Sequence, residues 1–237
     1  MTIVCIGCAL VVSGAAGLLK EQQQFAEKID TYKNVLIAAG LVRRGEAKPP
    51  KDIEKMYTEG IVGLLIDVNG NVAAESTDQT PESVHKQDKI LAGTPGYIEP
   101  AKRTYPLYTI KKDGKPDGYI VPVYGQGLWS ALYGYLALEA DGKTIRNLVF
   151  YKEGETPGLG KEITKSWFQD QFQKKTFIEN DQITFTVGRP GKVPDEPTHV
   201  AGISGATITG RGVQKMMVDK MKLYQPYFEK TVWKKSS

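Results

Sequence analysis

Between Leu107 and Lys152 the chain runs through strand-forming residues broken only by short, glycine-bearing turns, and this limits the possible folds more than any other feature. Leu107–Ile110 and Tyr119–Tyr124 flank Lys111-Lys112-Asp113-Gly114-Lys115. A glycine-rich bend from Gly125 to Ser130 follows, and LYGYLALEADGKTIRNLVFYKEG then repeats the strand–turn–strand pattern around Asp141-Gly142. Branched and aromatic residues suit a pleated, buried surface, and connections this short join antiparallel neighbours. Upstream, Gly63 to Val72 reads as a hairpin turning at Asn69-Gly70. Downstream, the pattern predicts a short helix over Trp167–Phe172 and a strand over Ile183–Val187. After Gly212, Val213, Met216, Met217, Met221 and Tyr224 mark one face of a closing helix. The stretch from Ala73 to Tyr105 is polar and reads as irregular. The expected fold class is α+β, an antiparallel sheet with packed helices.

The amino-terminal end has a different character. No charge appears between Thr2 and Leu19, and TIVCIGCALVVSGAAGLL sits at the lower edge of the length needed to cross a bilayer. A signal peptide lacks its usual basic start here, and a buried helix is a third reading. A single transmembrane helix over residues 1–20 is the expectation, and its abrupt beginning implies a polar segment ahead of it. Cys5 and Cys8 lie inside this run with no second ligand pair nearby, so they read as small hydrophobes facing lipid or a partner helix. From Lys20 to Leu41 the residues Phe25, Ile29, Tyr32, Leu36 and Ala39 keep helical spacing, as a stalk would, before a charged loop and a short helix ending near Gly60. The division is therefore an anchor at 1–20, a stalk and linker at 21–54, and a folded domain at 55–237. A net charge of +4 with scattered lysines gives no case for nucleic acid. With no cysteine beyond Cys8, the domain has no thiolates for an iron–sulfur cluster.

Two stretches carry chemistry. Ser204-Gly205-Ala206-Thr207-Ile208-Thr209 sets hydroxyls and a glycine turn before a helix, where free backbone N–H groups and the helix dipole favour phosphate or another anion. The plainer alternative is an ordinary helix cap, with Ser204 or Thr209 satisfying those donors. Glu153-Gly154-Glu155-Thr156-Pro157-Gly158-Leu159-Gly160 is a rigid loop that lets backbone approach a flat ligand, or else a surface turn. Gly125-Gln126-Gly127-Leu128-Trp129-Ser130 presents Trp129, as a ligand platform or as a core residue. His85 and His199 are far apart and make a weak metal case. No dinucleotide fingerprint, P-loop or hydrolytic triad is present. Hydroxyls at a helix start beside two glycine loops bearing apolar side chains suit a phosphate-bearing flat cofactor better than an acid–base site.

Ser204 to Thr207 resembles the Ser/Thr-Gly-Ala-Thr signature at which FMN is joined through its phosphate to a threonine hydroxyl. Together with GQGLWSALYGYLALEADGKTI, YKEGETPGLG and ISGATITGRGVQ, it is similar to the NqrC family, the C-type subunits of the sodium-translocating NADH:quinone oxidoreductase. The resemblance implies a phosphoester at Thr207 and a turn shaped by Ser204, Gly205 and Ala206. It further implies a flavin lined by Glu155, Thr156, Gly158 and Leu159, with Leu128 and Trp129 on the other loop. It implies no catalytic acid or base and no metal in this chain, but a relay between a membrane iron–sulfur centre and a second subunit's flavin. A flavin transferase would attach the cofactor. The complex would sit in the bacterial inner membrane with this domain facing the periplasm. The family pattern places Asp three residues before the Ser/Thr, where this chain has Ala201, so recognition by the transferase is the feature that departure bears on. The G-type subunit of the Rnf electron-transport complex shares the threonine-linked FMN and the Glu-Thr-Pro-Gly-Leu-Gly loop. A flavin-free, membrane-anchored structural subunit is the alternative from another class.

Overall fold

In the computed structural model, residues 2–75, 79–90, 92–179, 182–191 and 196–233 are described, with side chains from Lys20 onward. A six-stranded antiparallel sheet forms the centre, in the order β2-β1-β3-β4-β5-β6. Its strands are β1 (Ile61–Asp67), β2 (Val72–Ala74), β3 (Thr104–Lys112), β4 (Lys115–Gln126), β5 (Ala131–Glu139) and β6 (Ile145–Lys152). From β3 to β6 each strand pairs with its successor in the chain, as the short turns require. The Asn69-Gly70 hairpin forms as expected, with Gly70 at φ +78° and its N–H donating to Asp67 O.

The sheet is covered on both faces, which explains why Tyr119–Tyr124 reads as a continuous apolar run rather than an alternating one. Tyr119, Val121 and Val123 join Leu107, Leu136 and Leu148 on the face packed by α5 (Thr207–Thr231), while Ile120 joins Tyr108, Ala137 and Val149 on the other. That second face is covered by α2 (Pro50–Gly60) and by the end of α1 (Thr2–Ala39), whose Val35 to Ala39 are buried against it. Pro122 lies in an inner strand without disrupting the sheet. The β3–β4 ladder begins only at Tyr108 and Ile120, so no N–H is needed from Pro122 on that side, and its pairing is with Tyr135 of β5.

No helix among the described residues is long and apolar enough to cross a membrane. The expected anchor at 1–20, with Cys5 and Cys8, falls where side chains lie outside the described residues. Two other expectations change. The stretch from 73 to 105 is not wholly irregular: it carries α3 (Pro81–Asp88), a one-turn helix at Pro100–Lys102 and the start of β3. Thr80 and Ser83 cap α3 reciprocally ahead of Pro81. The strand expected over Ile183–Val187 changes partner midway. Thr184 N donates to Phe177 O and Thr186 N to Thr198 O, leaving two short pairs: β7 (Ile178–Glu179) with β8 (Gln182–Ile183), and β9 (Thr186–Val187) with β10 (His199–Val200). The closing helix α5 starts at Thr207, within the Ser204–Thr209 stretch expected at its N-terminus. Gly212, inside it, is a close approach, since a Cβ there would lie 2.2 Å from Gln126 O. The expected short helix appears as α4 (Ser166–Gln169), extended by a turn over Asp170–Phe172.

Candidate functional site

Three segments meet at one end of the sheet: the bend 127–130 between β4 and β5, the loop 153–160 after β6, and the turn 203–206 leading into α5. One carboxylate joins them. Glu155 is only 5% exposed and accepts from Trp129 N at 2.9 Å and Ser130 N at 3.0 Å through Oε1, and from Leu128 N at 3.1 Å and Thr209 Oγ1 at 2.7 Å through Oε2. Ser130 Oγ also donates to Oε1 and accepts from Gly154 N. Burial opposes the charge, but the hydrogen bonds from Thr209 and the bend outweigh it and hold this carboxyl below its usual range.

The carboxylate and its partners fill the space that side chains at two neighbouring glycines would need. A Cβ at Gly160 would lie 2.6 Å from Glu155 Oε2 and 2.7 Å from Thr209 Oγ1, and one at Gly127 would lie 2.6 Å from Glu155 Oε1. Gly205 sits at φ +73° with the Leu159 side chain directly over it, so the second loop closes on the turn before α5.

The α5 N-terminus has no side-chain cap: Ala206 occupies the cap position, and neither Ser204 nor Thr209 fills the role. Thr209 is buried and donates to Glu155, whereas Thr207 and Ser204 are exposed. Ala206 is buried, and Gly205, Thr156 and Gly158 are exposed. Among the described residues, nine large hydrophobic side chains are exposed, and Leu128, Trp129, Leu159, Trp167 and Ile208 all belong to this region. Trp129 is thus no core residue. Nothing in the sequence singles out Trp167, because a tryptophan in a short helix carries no signal by itself. It lines a cavity of about 490 Å³ with Gly158, Glu162, Gln171, Ile203 and Ser204. Ala201 borders the same cavity, its N–H donating to Gln171 Oε1.

The structure therefore brings together Leu128, Trp129, Thr156, Gly158, Leu159, Ser204, Gly205 and Thr207 at one surface, with Glu155 beneath them. Glu155 turns inward, so its side chain supports the surface and does not line it. The histidines lie elsewhere: His85 Nδ1 is 2.9 Å from Tyr133 Oη, and His199 pairs with Glu196.

Uncapped helix N–H groups, an exposed threonine hydroxyl in the first turn and flanking apolar side chains suit a ligand that joins a phosphate to a flat apolar ring. Residues 127–222 match the family model of the FMN-binding domain, and this match makes it a flavin-binding class of domain. More particularly, the chain belongs to the NqrC family, the C-type subunits of the Na(+)-translocating NADH-quinone reductase. It is 31% identical to the member from Yersinia pestis over 226 residues, covering 90% of this chain and 83% of the relative. It is 32% identical to the one from Haemophilus ducreyi, covering 87% and 81%. The crystal structure of the Parabacteroides distasonis member superposes with a TM-score of 0.70 at 27% identity, over 88% of this chain and 96% of that one. Shewanella oneidensis NqrC gives 0.71 at 28%, over 90% and 100%.

Proposed function

We propose that this chain is an electron-relay subunit of a sodium-pumping NADH:quinone oxidoreductase, with FMN held as a phosphoester on Thr207. The observation that carries the reading is the contrast between two hydroxyls one helical turn apart or less. Thr207 is exposed at an uncapped helix start, and Thr209 is buried with its proton committed to Glu155. The residues present fit the group. Free N–H groups of the first turn of α5 complement a phosphate, and Leu128, Trp129 and Leu159 offer apolar contact to a flat ring. Ser204 is exposed beside the attachment point, and Gly205 allows Leu159 to close over the turn. When bound, FMN supplies the redox chemistry, a relay between an iron–sulfur centre and the flavin of a neighbouring subunit.

The rest of the reading follows from the family. Residues 1–20 act as a single-pass anchor in the bacterial inner membrane, residues 21–54 connect it, and the domain at 55–237 faces the periplasm. A flavin transferase reads the segment from Ala201 to Thr207. The chain has no soluble substrate and no nucleic-acid partner, and its binding partners are the other subunits of the complex. The test is mass spectrometry of the Thr207-containing peptide from protein co-expressed with the transferase. The expected result is an added FMN mass that Thr207→Ala abolishes without moving it to Thr209. An unmodified peptide beside an active transferase would sink the relay reading and direct attention to Ala201.

A further inference from the structure

Glu155 is the point at which the three segments of the site are joined, and the joining is specific. Its Oε1 takes two backbone N–H groups and the hydroxyl of the 127–130 bend, and its Oε2 takes the third bend N–H together with Thr209 Oγ1. None of these donors is a backbone N–H of α5, so the anion leaves the helix's own N–H groups available. In an α-helix, two residues correspond to about 200° of rotation. Holding Thr209 inward therefore turns Thr207 outward. The same carboxylate orients consecutive N–H groups at Leu128 and Trp129, whose side chains stand exposed. Gly127 and Gly160 leave no space for a side chain between the carboxylate and its partners, so the arrangement has little room to shift.

We propose that Glu155 is the positioning residue of this site. It sets the helical register that presents Thr207 as acceptor and holds the bend that carries Leu128 and Trp129, without itself touching the ring. The inference rests on the flavin reading above but makes a separate claim about the protein's own organisation. Glu155→Gln keeps the volume and one acceptor oxygen. The new amide N–H₂ faces Leu128 N–H, a donor against a donor, and offers Thr209 a hydrogen to accept where it previously donated.

The test compares wild type, Glu155→Gln and Tyr224→Phe in the full chain. Tyr224→Phe deletes a buried hydrogen bond to Pro106 O away from the site and controls for loss of global stability. Two quantities are read: amide hydrogen exchange at Leu128, Trp129 and Ser130 without flavin, and the fraction of Thr207 modified on co-expression with the transferase. In Glu155→Gln the three amides are expected to exchange roughly tenfold faster, having lost an ionic acceptor, and the modified fraction to fall several-fold. Tyr224→Phe should change neither. Unchanged exchange in Glu155→Gln, undiminished modification, or an equal effect in Tyr224→Phe would each overturn the proposal. If the wild-type chain itself is not modified, the flavin reading fails, and exchange alone keeps or discards the role of Glu155.

Discussion

Glu155 and Thr209 show what residue chemistry contributes here. A carboxylate that is almost fully buried survives because each oxygen is met by several donors, and the balance leaves its pKa below the ordinary value of 4.5. A group whose folded pKa is depressed stabilises the fold fully above its ordinary pKa, and that contribution is lost as pH falls through the lower folded value. Wild type should therefore lose stability on the acid side of about pH 4.5, and the gap between wild type and Glu155→Gln should narrow there. Urea titrations of both proteins from pH 7 downward would check this; a gap that widens on acidification contradicts it. At this scale the sequence is partly legible. The turn at Ser204 to Thr207 and both glycine loops are visible as motifs. The inward direction of Glu155 is not, because the donors that hold it come from residues 25 to 54 positions away.

Elements are most legible where local pairing decides them. The turns at Asn69-Gly70 and Asp141-Gly142 specify hairpins by themselves, with Gly70 and Gly142 both at positive φ. The helix read as a stalk has its helical spacing in sequence, but only the fold shows its last turns packed on the sheet. Leu36 is fully buried there beside Ile53, Tyr108 and Val149. Tyr32 and Tyr57 stack at 3.7 Å, and Lys28 pairs with Glu54, so α1 and α2 form one covering layer. Leu36→Ala should accordingly cost about 2–5 kcal/mol, as for a core leucine, measured by chemical denaturation. A cost within experimental error would mean that the end of α1 is only an attached spacer.

Across the whole molecule, charges from separate elements gather at the end of α3. Asp88 pairs with Arg103 at 2.9 Å, accepts from Tyr124 Oη, and has Lys220 of α5 at 3.9 Å. Lys220 also lies over the Tyr124 ring, 3.2 Å from its centroid. Burial lowers its pKa to about 8, against partial opposition from Asp88 and Asp219. The unfolded chain therefore binds more protons between about pH 8 and 10.5, and stability contributed by this residue rises with pH through that window. Lys220→Met, which keeps the apolar stem, should stabilise the protein at pH 7 by up to about 3 kcal/mol. The gain should be gone by pH 10.5. Thermal melts at the two pH values would test it, and a destabilised variant at pH 7 would show that the ion pair and ring contact outweigh the desolvation.

Pattern and local turn chemistry were enough to establish an antiparallel α+β domain, its hairpins and the segment that bears Thr207, because each depends on residues adjacent in the chain. The tertiary structure alone decided which threonine faces outward, which glycines are close approaches, and that the sheet is covered on both faces. Those outcomes depend on contacts between distant segments. A residue's type records that it can hydrogen-bond or pack, but the direction in which it does so is set by whatever the fold places opposite it.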